Sequence, residues 1–366
     1  MADVTVDLAR SIDHVSPEEW DRLCGEYSFV SHRWLRLAEA ILADYEPRYV
    51  LARHDGRLEA AAVCSIGRRF KHQTLQRRLG WALRLSPLMR CNSPLSSGPG
   101  LLGSGSLRIA VLEAVRAQAR AERALFVTYG QCSPDDVRWP ALSAAGLDPY
   151  GSLSDMVLPI AWHSTTDYLS SLPGSDRRRI TKQERRAERE GVRVERLHSP
   201  DQHARRLREL IAGVLVHHGT CDIYVTDFVE QAQAVCGTDL HVIAAWRGGE
   251  IIGCAVALRD GDTLMAKWLG LDYALSWGTS TYRLLLFRIV ELAIELGVRT
   301  LSLGPTASET KQDFGAVASQ RLSALAVLAP VPASLVGSGA QLVAGRAAID
   351  PTYSSARAPA SPALPG

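Results

Sequence analysis

The segment from Asp262 to Gly315, DTLMAKWLGLDYALSWGTSTYRLLLFRIVELAIELGVRTLSLGPTASETKQDFG, admits few folds. Thr263 to Leu271 reads as a strand. Ser280 to Leu296 reads as a helix, with apolar Leu284, Leu285, Ile289, Leu292, Ala293 and Leu296 at spacings of three and four. Thr279 and Ser280 precede it and offer hydroxyl acceptors to its first free backbone N–H groups, and Gly297 ends it. Val298 to Leu303 is a second strand. Strand, helix and strand of these lengths make a parallel crossover, and ligands of open α/β sheets sit beyond the carboxyl ends of such strands. Chemistry is therefore expected just past Leu303, at Gly304, Pro305, Ser308, Glu309, Lys311, Asp313 and Gly315.

The rest of the chain holds a second copy of this plan. A capped helix beginning near Ser16 and Pro17 and a helix from His32 to Leu42, displaying Trp34, Leu35, Ala38 and Ile41, lead into strands at Tyr49–Ala52 and Leu58–Ile66. His54, Asp55 and Gly56 form the turn between them. A helix from Leu107 to Arg123, a strand from Ala124 to Tyr129, a short helix ending at Gly146 and a strand from Asp155 to Ile160 follow. A boundary is expected near Ile160–Ser164, giving a first domain over residues 1–162 and a second over 163–330. The second domain then reads as helix 176–190, strand Val192–Leu197, helix Pro200–His217, helix Val225–Val235, and a hairpin of Leu240–Ala245 with Ile251–Leu258 through Arg247, Gly248 and Gly249. A last strand is expected near Leu322–Leu328. Beyond it, a short surface helix through Ala344 and a Pro- and Ala-rich disordered tail, SSARAPASPALPG, are expected.

A length of 366 residues predicts two domains, or one large one, with ample core to bury, and 46 % hydrophobic with 22 % charged residues is ordinary for a globular chain. A net charge of +2 gives no global pull toward nucleic acid or membrane, so basic recognition must be local. Three stretches stand out. Arg68 to Arg90 interleaves seven cations with Phe70 and Trp81, and reads either as a solvated edge strand or loop or as a phosphate contact. SPLSSGPGLLGSGS, from Ser93 to Ser106, reads either as a linker or as an anion cradle ahead of a helix, without P-loop spacing. The helix at 176–190, with Ser175 as its cap and Gly191 as its stop, places Arg178, Lys182, Arg185 and Arg189 in one stripe at spacings of four, three and four. That stripe is either a solvated face above Ile180 and Ala187 or an anion or RNA-backbone contact.

Seven scattered cysteines lack a C-x-x-C pair and zinc-like spacing, the amino terminus lacks a signal-peptide pattern, and no apolar run suits a membrane span. A cytoplasmic protein is expected. His217 and His218 are adjacent on a helix and point apart, which speaks for structural roles and against a metal. No usable G-x-S-x-G, P-loop, H-E-x-x-H or G-x-G-x-x-G is present, which argues against hydrolase, nucleotidase, zinc protease and Rossmann chemistry. Acyl transfer by direct attack needs none of them.

Tyr282, Ala293, Gly297, Gly304, Lys311, Phe314 and Gly315, in this order and spacing, resemble the carboxyl-terminal half of the FemAB-like branch of the GNAT acyltransferases. Asp167, Tyr168, Leu169, Leu172, Arg178, Arg179, Ile180 and Lys182 match a second pattern of that branch. Thr310 departs from it, standing where Fem-type enzymes carry Phe. The resemblance covers roughly residues 15 to 320. It implies an α/β (α+β) fold of tandem GNAT-like domains, each a mixed, mostly antiparallel sheet flanked by helices. It also implies amide formation by aminoacyl transfer from aminoacyl-tRNA to a small or peptide-like amine, with no tightly bound cofactor. Acyl-CoA as donor, and a non-catalytic RNA- or envelope-precursor-binding protein, are the alternatives. The loop Asp272–Ser280 has one glycine and no arginine where coenzyme A users place an R/Q-x-x-G-x-G/A loop, which favours aminoacyl-tRNA. Lys311, Tyr282, Tyr273 and Glu309 are the catalytic candidates, with Asp272 a further proton carrier. Substrate contacts are expected from Arg178, Lys182, Arg185, Arg189, Lys267, Trp268, Trp277, Thr279 and Gly304. The oxyanion contact, as the resemblance implies, falls to backbone N–H groups of Lys267–Gly270. A surface lysine paired with Glu309 or Asp313 is the alternative for Lys311.

Overall fold

A computed structural model describes residues 4–25, 27–103, 105, 107–147 and 149–328. The expected helix up to Ala344 and the disordered tail lie outside the described residues.

In the first half, β1 (Val4–Ala9), α1 (Pro17–Cys24), α2 (His32–Ile41), β2 (Glu46–His54) and β3 (Arg57–Gly67) are followed by α3 (Gln73–Leu85), β4 (Leu88–Cys91) and β5 (Leu101–Gly103). Then come α4 (Leu107–Ala121), β6 (Phe126–Cys132), α5 (Trp139–Ala144) and β7 (Pro149–Pro159). The second half runs α6 (Thr165–Ser171), α7 (Gly174–Arg189), β8 (Val192–Leu197), α8 (Ala204–His217), α9 (Phe228–Cys236), β9 (Leu240–Arg247), β10 (Glu250–Asp260) and β11 (Thr263–Leu271). It closes with α10 (Thr281–Glu295), β12 (Thr300–Gly304), α11 (Ser308–Gln312) and β13 (Val317–Val327).

All the described strands join one sheet, ordered β1-β2-β3-β4-β6-β13-β7-β12-β11-β10-β9-β8, with β5 beside β3. Its parallel pairs are β4–β6 and β11–β12, the two crossover positions, and the remaining pairs are antiparallel. The halves exchange their last strands. β13 pairs with β6 of the first half, whereas β7 pairs with β12 of the second. The sheet therefore has no seam at residues 160–164, although the chain crosses from one half to the other there.

Alternation along the strands makes two covered faces. Ala61 and Val63 of β3, with Cys254, Val256 and Leu258 of β10, join Trp20, Trp34, Leu207 and Phe228 from α1, α2, α8 and α9 in one apolar cluster spanning both halves. On the other face, Ala60, Ala62 and Cys64 pack under α4, while Ala255 and Ala257 pack under α10. This period-2 division is what buries a strand on both sides.

Three local expectations need correction. Residues 68–90 are not an edge strand or loop, because Gln73–Leu85 is helical and buries Leu83 against Leu88 and Phe126. Residues 93–106 are not a linker. Ser93 is fully buried, Trp34 Nε1 donates to the Pro94 carbonyl at 2.8 Å, and Leu101–Gly103 forms a strand on β3. Two of the expected caps also fail: α7 has Pro173 at its cap position, and Ser280, at φ +62°, gives α10 no side-chain bond, whereas Ser16 caps α1 as expected.

Candidate active site

The second crossover opens where its strands part. β11 and β12 are paired only over Thr263–Met265 and Thr300–Ser302, so from Ala266 onward the edge of β11 that faces away from β10 has no strand beside it among the described residues. A bulge adds to the opening. Val256 faces Trp268 and Ala257 faces Ala266, leaving Lys267 as the extra residue. Close packing of α8 behind β11 fixes the wall, since a Cβ at Gly270 would lie 2.7 Å from Leu210 Cβ and 2.9 Å from the Ile211 backbone nitrogen.

The other wall is built by the end of β12. Leu303 is an extra residue between the Ser302–Val157 and Gly304–Met156 pairs, and Gly304 turns the chain at φ +76°, a conformation suited to glycine. The chain then forms α11, so Lys311 lies on a short helix and not in an open loop. Lys311 is buried, at 4 % exposure, and its Nζ donates to the Gly304 carbonyl at 2.9 Å. The surface-lysine alternative is thereby set aside. Asp313 instead accepts from Arg283 at 2.6 Å and from Arg179, a clamp that ties α11 to α10 and α7. Burial would raise the Asp313 carboxyl, but the bonds from Arg179 and Arg283 outweigh it and hold the group below its usual range.

Between the walls stands a carboxylate that sequence reasoning missed. Asp155, on the exchanged strand β7, is buried; Ser302 Oγ donates to its Oδ2 at 2.8 Å, while Oδ1 has no hydrogen-bond partner among the described residues. Both lysines feel it. Burial pushes the Lys311 ammonium down to about 8, opposed by Asp155. Lys267 is pushed down to about 7, by burial first and then by Lys71, again opposed by Asp155. Its Nζ donates to the Leu95 carbonyl, in the loop that the first half lays over the opening. The only sequence-level signal was an isolated Asp in an otherwise mostly apolar strand end, SDMVLPI. Its strand partners were not legible.

The structure thus gathers Lys311, Gly304 and Lys267 around Asp155 and scatters the remaining candidates. Tyr273 stacks on His217 at the end of α8, with ring centroids 3.9 Å apart, and burial raises its hydroxyl. Tyr282 packs half-buried against the core under α10, its hydroxyl raised to about 12 by burial. Glu309 is exposed on α11. Trp268 is buried on the far side of β11 against Tyr224 and Phe228. Trp277 is 86 % exposed, whereas Thr279 is fully buried, its hydroxyl engaged with the Ser276 carbonyl at 2.7 Å and with Thr281. Asp272 pairs with Arg206 at 2.9 Å.

Arg178, Lys182, Arg185 and Arg189 are all exposed and form no ion pair among the described residues. They lie opposite Ile180 and Ala187, the buried face of α7. Among the described residues no group of His, Cys, Asp and Glu is arranged to hold a metal ion, and no helix is long and apolar enough to cross a membrane.

Residues 174–312 match the family described as acetyltransferase (GNAT) domain. The matched stretch, from α7 to α11, is a GNAT acyltransferase domain. No curated protein matches the chain in sequence. Solved structures do match in fold. The carboxyl-terminal domain of an Agrobacterium fabrum protein, provisionally assigned as a lysylphosphatidylglycerol synthetase, aligns at TM-score 0.57 and 14 % identity, over 89 % of this chain and 96 % of that one. FemX aligns at 0.56 and 13 %, over 88 % and 97 %. A tandem GNAT protein from the clavulanic acid biosynthesis pathway aligns at 0.53 and 12 %, over 90 % and 100 %. At such identities the likeness concerns fold, and it agrees with the FemAB-like tandem GNAT architecture that Tyr282, Gly304, Lys311 and Phe314 suggested.

Proposed function

We propose that the chain forms an amide bond by transferring an aminoacyl group from aminoacyl-tRNA to the amine of a small or peptide-like acceptor. The observation that carries this reading is the parting of β11 and β12 beside the buried Lys311 and the half-buried Lys267. A donor carbonyl laid along Ala266–Gly270 meets free backbone N–H groups, which stabilise the oxyanion as the amine attacks. Lys267, near neutrality, accepts the proton that the attacking amine loses. Lys311, still an ammonium at pH 7, offers positive charge to the ester oxygens while the carbonyl–ribose bond breaks and the ribose oxygen departs with the proton that Lys267 has taken up. Asp155 holds both lysines closer to their charged forms than burial alone would. In this role it positions charge and does not touch the reacting atoms.

Two features favour a tRNA donor over coenzyme A. Four amides of the loop ahead of α10 are engaged within the loop: Asp272 Oδ1 accepts from Ala274 N and Leu275 N, Ser276 N donates to the Asp272 carbonyl, and Thr279 N donates to the Ser276 carbonyl. A pyrophosphate cradle requires such groups to be free. The unpaired stripe of α7, on the other hand, suits a long phosphate backbone. Acyl-CoA remains a second reading because the matching family is described as an acetyltransferase. Purified protein, a panel of amines, and either charged tRNA or acyl-CoA separate the two. Amide product with charged tRNA alone is expected; product with acyl-CoA alone overturns the donor assignment, and product with neither overturns amide transfer to these acceptors.

A further inference from the structure

From Ala60 to Leu112 the chain carries eight Lys and Arg residues and no carboxylate. Arg68 and Arg69 are neutralised by Glu46 and Asp44. Arg77, Arg78 and Arg84 of α3 are exposed and form no ion pair among the described residues. The same helix shows solvent three large apolar side chains, Leu79 at 39 % and, one turn apart, Trp81 at 63 % and Leu85 at 70 % exposure. At 100° per residue, Trp81 and Leu85 form a ridge with Arg77 and Arg84 on one side and Arg78 on the other. The opposite face is anchored. Leu83 is buried with Leu88 and Phe126, and Gln73 Nε2 donates to the Thr220 carbonyl at 3.1 Å.

We propose that α3 is a docking surface for an anionic lipid bilayer. An aromatic and aliphatic ridge flanked by arginines matches the layered chemistry of a membrane interface, with acyl chains beneath acidic headgroups. Charge complementarity selects the partner's sign, and the apolar ridge selects its kind. An RNA backbone would engage the arginines and leave Leu85 without a partner, whereas a bilayer engages both. Arginines acting at the headgroup level supply roughly fivefold in partitioning each. Docking does not depend on the acyl-transfer reading, but it would bring the candidate site close to the surface: Lys71, two residues before α3, is near enough for its charge to act on Lys267.

The test is co-sedimentation of the full chain with vesicles of phosphatidylcholine alone or containing one-third phosphatidylglycerol, with uncharged tRNA as competitor. Binding to the anionic vesicles only is expected. Trp81→Ser with Leu85→Ser, and separately Arg77→Gln, Arg78→Gln and Arg84→Gln together, should each weaken it, the arginine set by about a hundredfold. Unchanged circular dichroism and melting establish that these surface variants fold, and Trp81→Phe should retain most binding. No binding to anionic vesicles overturns the proposal. So does binding that survives loss of Trp81 and Leu85 but is displaced by tRNA, an outcome that would assign α3 to RNA.

Discussion

Replacing Lys311 with Met should make the protein more stable at neutral pH and much less active. Burial lowers this ammonium from its ordinary 10.5 to about 8, so holding it charged in the folded protein costs about 3 kcal/mol. Met keeps most of the stem and removes the charge, losing the bond to the Gly304 carbonyl, worth ~1 kcal/mol. About 2 kcal/mol of stabilisation is left at pH 7. Between about pH 8 and 10.5 the unfolded chain binds more protons at this site than the folded one, so wild-type stability gains from Lys311 as pH rises through that window. The variant lacks that gain, and its advantage should vanish by pH 10.5. Urea unfolding of both proteins at pH 7 and pH 10 measures the difference, with titrations elsewhere cancelling between them. Turnover should fall about a hundredfold, corresponding to the ~3 kcal/mol of a charge contact made in the transition state. A variant that is less stable than wild type at pH 7 and turns over within threefold of it would refute both the burial argument and the assignment.

Other consequences can be measured separately. In kcat/KM, activity should rise through about pH 7 as Lys267 releases its proton and fall above about pH 8 as Lys311 does, and a flat profile across pH 6–9 would exclude these roles. Asp155→Asn removes the charge that raises both lysines, so both limbs should move to lower pH; a loss of rate with unmoved limbs would make Asp155 merely structural. Substituting Gln for Arg178, Lys182, Arg185 and Arg189 together should flatten the dependence of log affinity for charged tRNA on log salt by roughly 3, at about 0.7 per phosphate, and an unchanged slope would mark α7 as a solvated face. Gly270→Ala should destabilise the fold by about 1–3 kcal/mol because its Cβ meets Leu210 and the backbone of Ile211, and thermal melting at wild-type temperature would contradict that packing.

Where the sequence was legible, the reason is local. Thr263–Leu271 coincides with β11 and Val192–Leu197 with β8, and each was bounded by strong turn or breaker residues. α10 and β12 were placed to within a residue or two, because apolar spacing and Gly297 act within one element. Failures arose where an element is decided by something distant. α3 has a full set of arginines and a weak apolar face, so its helical state depends on Leu83 meeting Leu88 and Phe126. The Ser93–Ser106 stretch has linker composition, yet Trp34, from a helix sixty residues earlier, and the Lys267 ammonium fix its backbone. Thr279 and Ser280 had suitable chemistry for a cap, but the Asp272 turn and the Thr279–Thr281 hydroxyl contact claim that backbone first.

The candidate site was half legible for the same reason. Lys311 and Gly304 lie within one crossover, so their chain positions sufficed to bring them forward. Asp155 lies in the other half, and nothing within β7 indicates that it will leave its own half and pair with β12. The exchange has a physical motive. β12 is only five residues long and is paired with β11 over three, so without β7 its other edge would expose unpaired N–H and C=O groups beside a deliberately open cleft. β7 satisfies that edge along four residues and carries a carboxylate within reach of both the buried Lys311 and the half-buried Lys267. Closing the sheet and charging the site are therefore one structural event. A chain cut between residues 162 and 163 would lose both unless the two pieces reassembled, which makes the two-half architecture a condition of the chemistry and not a duplication beside it.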